Sequence, residues 1–429
     1  MYISYDKNNI IRVVSSKSIK ITDQTLIQTD QFKDENIVGK KIVLGNRSDN
    51  LRVALVCNWG DRCGIATYTS MLVEHLRPLV GEIRIFAETI AEPNIEKDLE
   101  DNVERCWKRG TSMIDTVNRI KEWNPDITFV QHEFGIFPKA TYFLKFLELL
   151  DQMPYVITLH SVYEHLDKTI CTAYIRNMIV HSTQAKESLG RNGHLNNINV
   201  IHHGCVEYPN HDELWNIFQN EYCIIQFGFG FNYKGVDCAI DAIKYLKENN
   251  PDKFKEIFFC YMCTESPHTR QIQNDYYNYL NSKVQEFGLQ DNVVIVRGFL
   301  SEQHICNFLR TAKLAIFPYK NDETNVVYGA SGAIRKAMAN GIPIIASDCH
   351  LFDDMEGTVP RISDHYQLAN EIDKIFSDSG YRTDLIKKNL EFVNLNNWDN
   401  VARQHVDVFK NIINESEKDF VRISNFEVV

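Results

Sequence analysis

From residue 51 onward the chain alternates between two textures. Short apolar runs, "LRVALVCNW", "IRIFAE", "DITFVQHE", "YVITLHS", "MIVHST" and "INVIHHG", predict buried strands. Between them, segments such as "SMIDTVNRIKEW" and "TQAKESL" carry apolar residues at helical spacing. Residues 206–221 interrupt this alternation, and then it resumes. "CIIQFGFG", "EIFFCYM", "NVVIVRG", "LAIFPY" and "IPIIAS" read as strands, with amphipathic stretches such as "KGVDCAIDAIKYLKE" between them. Ser301 is placed to cap the helix of "SEQHICNFLRTA". Strands alternating with helices imply parallel strands joined by crossover helices. The pattern predicts an α/β protein of two consecutive doubly wound, Rossmann-like domains, residues 49–210 and 211–395. A helical segment, 396–429, follows. Residues 1–48 have no Gly or Pro before Gly39 and read as a small β-rich appendage of no assignable chemistry.

Composition narrows the class. At 429 residues, 44% hydrophobic and 24% charged, the chain falls among globular proteins of two domains and an appendage. A net charge of −11 argues against a protein that coats nucleic acid, although a local basic cleft remains compatible with it. The start, "MYISYDKNNI", lacks the basic and apolar regions of a secretory signal. No run reaches the roughly 18 apolar residues of a membrane span. Eleven scattered cysteines suit a reducing compartment, and a cytoplasmic protein is expected. The one C-x-x-C, Cys260 to Cys263, lies in a strand-like run without a second ligand pair, so buried thiols are expected there rather than a metal or redox pair.

In doubly wound sheets, ligands bind beyond the carboxyl ends of the strands. Histidines cluster at those positions: His132 in "VQHEFGIF", His160 in "ITLHSVY", and His202–His203 in "VIHHGC". None has the spacing of a helical zinc site, and no metal is assigned. Gly64, in the turn "GDRCGIATYTSML", opens a helix where a backbone can approach an anion. In the second half, Lys234 in "FGFGFNYKG" stands just before a helix start, well placed as a point charge for a phosphate. The small-residue turn of "YGASGAIRKAMANGIPIIAS" opens another helix, so two phosphate-suited features meet at the mouth of one sheet.

These motifs, in this order and spacing over about residues 50–410, resemble glycosyltransferase family 4: retaining, nucleotide-sugar-dependent enzymes of the GT-B fold. The resemblance implies a role for each matching position. Gly64 would lie in the loop approaching the donor phosphates, and His160 against the sugar and the scissile oxygen. Lys234 would pair with the donor pyrophosphate, to which Ser331 and Gly332 would offer backbone N–H groups. His132 and Glu133 would border the acceptor cleft, with His203 on the same side. The last helix, around Trp398, would cross back onto the first domain. Such chemistry needs a stabilised diphosphate leaving group, which amides, a helix start and a lysine can supply. No Asp-x-Asp occurs in the chain, so no metal and no cofactor beyond the nucleotide-sugar co-substrate are expected.

The chain departs from that family in two places. Many relatives have Glu-x7-Glu where this sequence has Tyr328 and Lys336, which shifts the expected reading of the sugar to Asp322 or Glu323. An arginine common after the first glycine of "FGFG" is missing, leaving Lys234 with Arg297, Arg335 or Lys336 as helpers. The expected activity is transfer of a hexose or pentose to an acceptor hydroxyl of a glycan, a lipid-linked sugar or a small molecule. Two alternatives stand beside it: the same transfer onto a hydroxymethylated base of DNA, and a protein that binds nucleotide sugars without transferring them.

Overall fold

The computed structural model describes residues 2–6, 9–13, 50–61, 63–91, 93–151, 153–165, 175–194, 197–206, 222–264, 270–298, 302–321 and 326–426. Ser301, Asp322 and Glu323 lie outside the described residues, as does most of 1–48. Of that appendage, Tyr2–Asp6 and Asn9–Val13 form an antiparallel pair.

The first large sheet has seven parallel strands. Across the sheet they run Asn197–Val200, Asn177–Val180, Tyr155–Leu159, Ile127–His132, Arg52–Cys57, Glu82–Glu88 and Val103–Trp107. The chain starts at Arg52–Cys57, builds outward to Val103–Trp107, then returns to the other side at Ile127–His132. That reversal is the topological switch point. Both faces are covered, which is why "RVALVC" and "ITFVQH" are nearly continuous apolar runs rather than alternating ones. The edge strand Val103–Trp107 is absent from the sequence reading. Its residues 103–106 are only half-buried, so "VERC" lacks the apolar run that marks the others.

The second sheet repeats the design with six parallel strands, in the order Val293–Arg297, Phe258–Thr264, Cys223–Phe229, Leu314–Phe317, Ile344–Ser347 and Arg361–Ile362. Its switch point falls between Cys223–Phe229 and Leu314–Phe317. Cys260 and Cys263 sit buried in the strand Phe258–Thr264 as thiols outside any disulfide, and burial pushes the Cys260 thiol up to about 12.

Two devices hold the halves together. The last helix, Trp398–Phe426, packs on the helix Gly64–Leu76. Its Trp398, Val401 and Phe409 join the same apolar cluster as Leu55, Ile85 and Phe129 of the first sheet. The end of the chain therefore closes one face of its first domain. The second device is a short antiparallel ladder in which Val327–Gly329, from the second half, pairs with Ser161–Tyr163 from the first. Tyr328 in this ladder is buried in the core of the first domain. Its hydroxyl donates to Glu164 at 3.2 Å and accepts from Arg191 at 3.2 Å.

Gly204 shows how tightly the crossing helix is seated. A Cβ at this position would lie 2.3 Å from the Trp398 indole, with other ring atoms at 2.4 and 2.5 Å. The Gly204→Ala variant is expected to displace Trp398 and lower stability by about 1–3 kcal/mol, the usual cost of overpacking a core. Chemical denaturation, with proteolysis reporting earlier release of the C-terminal helix, checks this.

Candidate functional site

The second sheet's switch point carries the most unusual group of the molecule. After the strand Cys223–Phe229 the chain makes a single turn, Asn232–Lys234, and enters the helix Val236–Asn249 through Gly235. Gly235 has a left-handed φ of +64°, and a Cβ there would lie 1.7 Å from the Pro318 carbonyl oxygen. Only glycine fits, and the tight approach brings the turn against the segment after Leu314–Phe317. Gln226 completes the anchor by donating to the Lys234 carbonyl at 2.7 Å. The Lys234 side chain is thereby directed across the switch point. Its ammonium donates to the Tyr319 hydroxyl at 2.8 Å and lies 3.9 Å from the centre of that ring. Lys234 is only 8% exposed, and among the described residues no carboxylate forms an ion pair with it. Burial lowers its pKa from the ordinary lysine value to about 7.

The Tyr319 hydroxyl continues to Ser331 Oγ at 3.4 Å. Ser331 is the N-cap residue of the helix Gly332–Ala339, yet its side chain makes no capping hydrogen bond, and the first turn carries no acid. The opening N–H groups of this helix are thus left for an anion beside the buried ammonium. Tyr319 is the link that sequence reasoning missed. It stands two residues past a strand, in a position that says nothing about which side chain will reach it.

Arg335 was a possible helper for a phosphate, and its surroundings correct that expectation. The guanidinium is 1% exposed and fully engaged. Nη1 donates to the Ser331 carbonyl at 2.9 Å, Nε donates to the His203 carbonyl at 3.0 Å, and Nη2 bonds Asp354. Arg335 ties the small-residue turn to the first domain, with each of its three nitrogens bonded inside the protein and the guanidinium shut off from solvent. Arg297 lies two strands from the switch point, donates to Asn274 at 2.5 Å and stacks on the Tyr277 ring.

On the first domain's side, three histidines gather around Tyr68. The rings of His160, His181 and His203 lie 4.7, 5.3 and 4.9 Å from its centre, and Trp398 closes the group at 5.0 Å. Their protons can be assigned by elimination. His181 Nδ1 faces the Ile201 carbonyl at 3.0 Å, and a carbonyl only accepts, so Nδ1 carries the proton. Burial holds His181 at about 3, so the ring is neutral and its Nε2 accepts from His160 Nδ1 at 3.3 Å. His160 is held well below its ordinary value by burial and by the neighbouring histidines, leaving Nε2 bare. The Gln131 amide lies 2.7 Å from that nitrogen and meets it with its NH2 group, since two lone pairs cannot bond and a half-turn exchanges the amide's oxygen and nitrogen. Both nitrogens of His160 are thus occupied by Gln131 and His181, neither of which the sequence reading had singled out.

The remaining expected residues divide. Gly64 is exposed at the start of its helix, where a Cβ would meet nothing within 4 Å, so a ligand can approach that backbone closely. The Cys63 thiol caps the same helix and is held by Asn58 Nδ2 at 2.8 Å. Glu133 stays half-buried beside Ser161; burial raises its carboxyl above the usual range while the Ser161 hydroxyl and the Phe134 N–H oppose the shift. His132, expected beside an acceptor, is instead 1% exposed and packed among the rings of Phe134, Phe137 and Phe143. It belongs to the core, not to a cleft. His203, expected on the acceptor side, abuts Gly332 of the phosphate-suited turn.

The buried histidines make stability sensitive to acid. His132, His181 and His405 are held at about 3, about 3 and about 4 by burial, whereas unfolded histidine titrates near 6.5. Below about pH 6.5 the unfolded chain therefore binds more protons than the folded one, and stability falls until the folded-state values are reached. Thermal melts from pH 7.5 to 4.5 should show a midpoint that declines gently above 6.5, where folded Lys234 takes up its proton, and drops steeply below it.

Comparison with known proteins places this geometry. Residues 223–378, which span the second sheet, match the family model described as Glycosyl transferases group 1. No curated protein sequence matches the chain. Solved structures do. HepE from Anabaena, in complex with UDP and glucose, is 14% identical, covers 84% of this chain and 100% of its own, and superposes with a TM-score of 0.65. Sucrose-phosphate synthase from Thermosynechococcus elongatus is 19% identical over 85% of this chain and 100% of its own, with a TM-score of 0.67. A glycosyltransferase from Rickettsia africae is 17% identical over 85% and 99%, with a TM-score of 0.65. Among the described residues no helix is long and apolar enough to cross a membrane. The chain has the GT-B fold, two Rossmann-like domains facing each other, and its residues 223–378 match the Glycosyl transferases group 1 model.

Proposed function

We propose that this chain is a retaining glycosyltransferase that moves a hexosyl or pentosyl group from a nucleotide sugar to an acceptor hydroxyl without a metal ion. The observation that carries this reading is Lys234. A buried ammonium without an anionic partner is costly, and it is justified when a ligand brings the missing negative charge. The diphosphate of a nucleotide sugar does so, seated between the Lys234 ammonium, the Ser331 hydroxyl and the opening N–H groups of the helix Gly332–Ala339. The matched family model and a fold shared with HepE, whose structure is a complex with UDP and glucose, support the same class of donor.

In this reading the charge that develops on the leaving diphosphate is met by groups already in place, which is the main lever such a site has on the rate. His160 is a wall of the sugar pocket, held rigidly by Gln131 and His181, because its own nitrogens are occupied. Gly64 lets the first domain's loop close over the phosphates, and Glu133 borders the acceptor side.

Incubation with a panel of nucleotide sugars and acceptor alcohols should reveal transfer that persists in EDTA, with the donor's anomeric configuration retained in the product by NMR. Lys234→Met should reduce it at least about tenfold, the loss of roughly one charged contact. Transfer at the same rate in this variant would remove the assignment.

The pH dependence has a definite sign. Free Lys234 is half protonated near pH 7, and a bound diphosphate favours the charged form. Affinity for the nucleoside diphosphate should therefore be greatest below about pH 7 and weaken above it, by up to about tenfold per pH unit, until the bound-state value is passed. Isothermal titration from pH 7 to 9 measures this slope, which Lys234→Met should make shallower.

A further inference from the structure

His203 belongs to the second domain's turn as much as to its own. Its Nδ1 lies 2.7 Å from the carbonyl oxygen of Gly204, which can only accept, so Nδ1 carries the proton and Nε2 is the free position of the ring. That nitrogen faces the start of the helix Gly332–Ala339: a Cβ on Gly332 would lie 3.2 Å from Nε2 and 3.5 Å from Cε1. Among the described residues no hydrogen bond engages Nε2.

The placement is held from several sides. Tyr68 and Trp398 pack on the ring at 4.9 and 5.5 Å. Arg335 bonds the carbonyls of both His203 and Ser331, so the histidine and the turn are spanned by one buried side chain. The turn itself has the independent mark of an anion site, since the buried and unpaired Lys234 ammonium reaches it through Tyr319.

We propose that His203 is a second cationic ligand of the donor diphosphate, taking up a proton at Nε2 when the diphosphate binds and donating a hydrogen bond to it. This rests on the donor reading above. In the free protein His203 is neutral, because burial disfavours its charge and the Arg335 and Lys336 cations repel it. The other groups packed around it are Tyr68, His202, and Asp354, which is itself taken by Arg335. A bound diphosphate places two or more negative charges against the ring and reverses the balance. The proton comes from solvent, and the site gains a charge only when the ligand is present. With the histidine beside Lys234, the missing arginine of the glycine-rich loop is replaced from the opposite domain.

The test begins with UDP, GDP, ADP, CDP and dTDP, each scored by its shift in melting temperature, and the strongest binder is carried forward. Titration calorimetry at pH 6, in two buffers of different ionisation enthalpy, then counts protons taken up on binding. At this pH Lys234 is already charged in the free protein, so uptake there reports on His203 rather than on the lysine. The wild-type protein should take up close to one proton more than His203→Gln, a difference from which the terminal phosphate's own proton, common to both, drops out. The variant should bind about tenfold more weakly at pH 6. In the wild-type chain, 15N NMR of labelled histidine should move His203 Nε2 from the shift of a bare ring nitrogen to that of a protonated one on adding the diphosphate. This measurement keeps the proposal testable if the variant fails to fold. Equal affinity and equal proton uptake in wild type and variant, or an unmoved Nε2 signal, overturns the proposal while leaving the donor reading intact. No melting shift with any of the five diphosphates overturns the donor reading and the proposal with it.

Discussion

One buried guanidinium sets the relation between the two halves of this protein. Arg335 gives its hydrogen bonds to the Ser331 carbonyl, the His203 carbonyl and Asp354, with almost no exposure to water. A charge in such a place is stable only while all of its partners stay in position, because losing any one leaves a buried group unpaired. The constraint is geometric as well as energetic. A planar group with fixed donor directions holds the phosphate-suited turn of one domain against the histidine-bearing strand end of the other. The ladder between Val327–Gly329 and Ser161–Tyr163 and the helix Trp398–Phe426 reinforce the same arrangement from either side.

Within that arrangement the second domain holds a buried lysine without an anionic partner. Lys234 is fixed by Gly235, which only glycine can fill, and by the hydroxyl of Tyr319. The fold thus holds an empty charge pattern ready before any ligand arrives. On the other side of the cleft the histidines are neutral and tied to one another, to a carbonyl and to Gln131, so the wall they form is polar, rigid and without net charge. In the free protein, one domain thus contributes a buried ammonium and the other a shaped wall of neutral histidines.

Much of this was legible in the residues alone, and the parts that were not share one cause. The two parallel sheets, the glycine-rich turn before Lys234 and the helix opened by Ser331 and Gly332 all rest on local patterning, where period and turn chemistry speak directly. His132 misled because a histidine at a strand end looks the same whether its ring turns toward the cleft or, as here, into Phe137 and Phe143. Arg335 misled for a related reason: a cation in the first turn of a phosphate-suited helix suggests a ligand until the buried Asp354 is seen beside it. Tyr319, Gln131 and His181 left no signal, since each acts through a partner between 12 and 85 residues away.

The sequence by itself determined the class of fold and most of the order of its strands and helices, and it marked the turns whose chemistry suits an anion. Those features follow from hydrophobic period and from backbone needs that a few residues express. Tertiary structure decided which charges are free and which are consumed. Whether Lys234, Arg335 or His203 can serve a ligand depends on what stands within about 3 Å of each, a distance at which hydrogen bonds are made or missed. Only the packing of strand ends and turns against one another, within each domain and between the two, sets those distances.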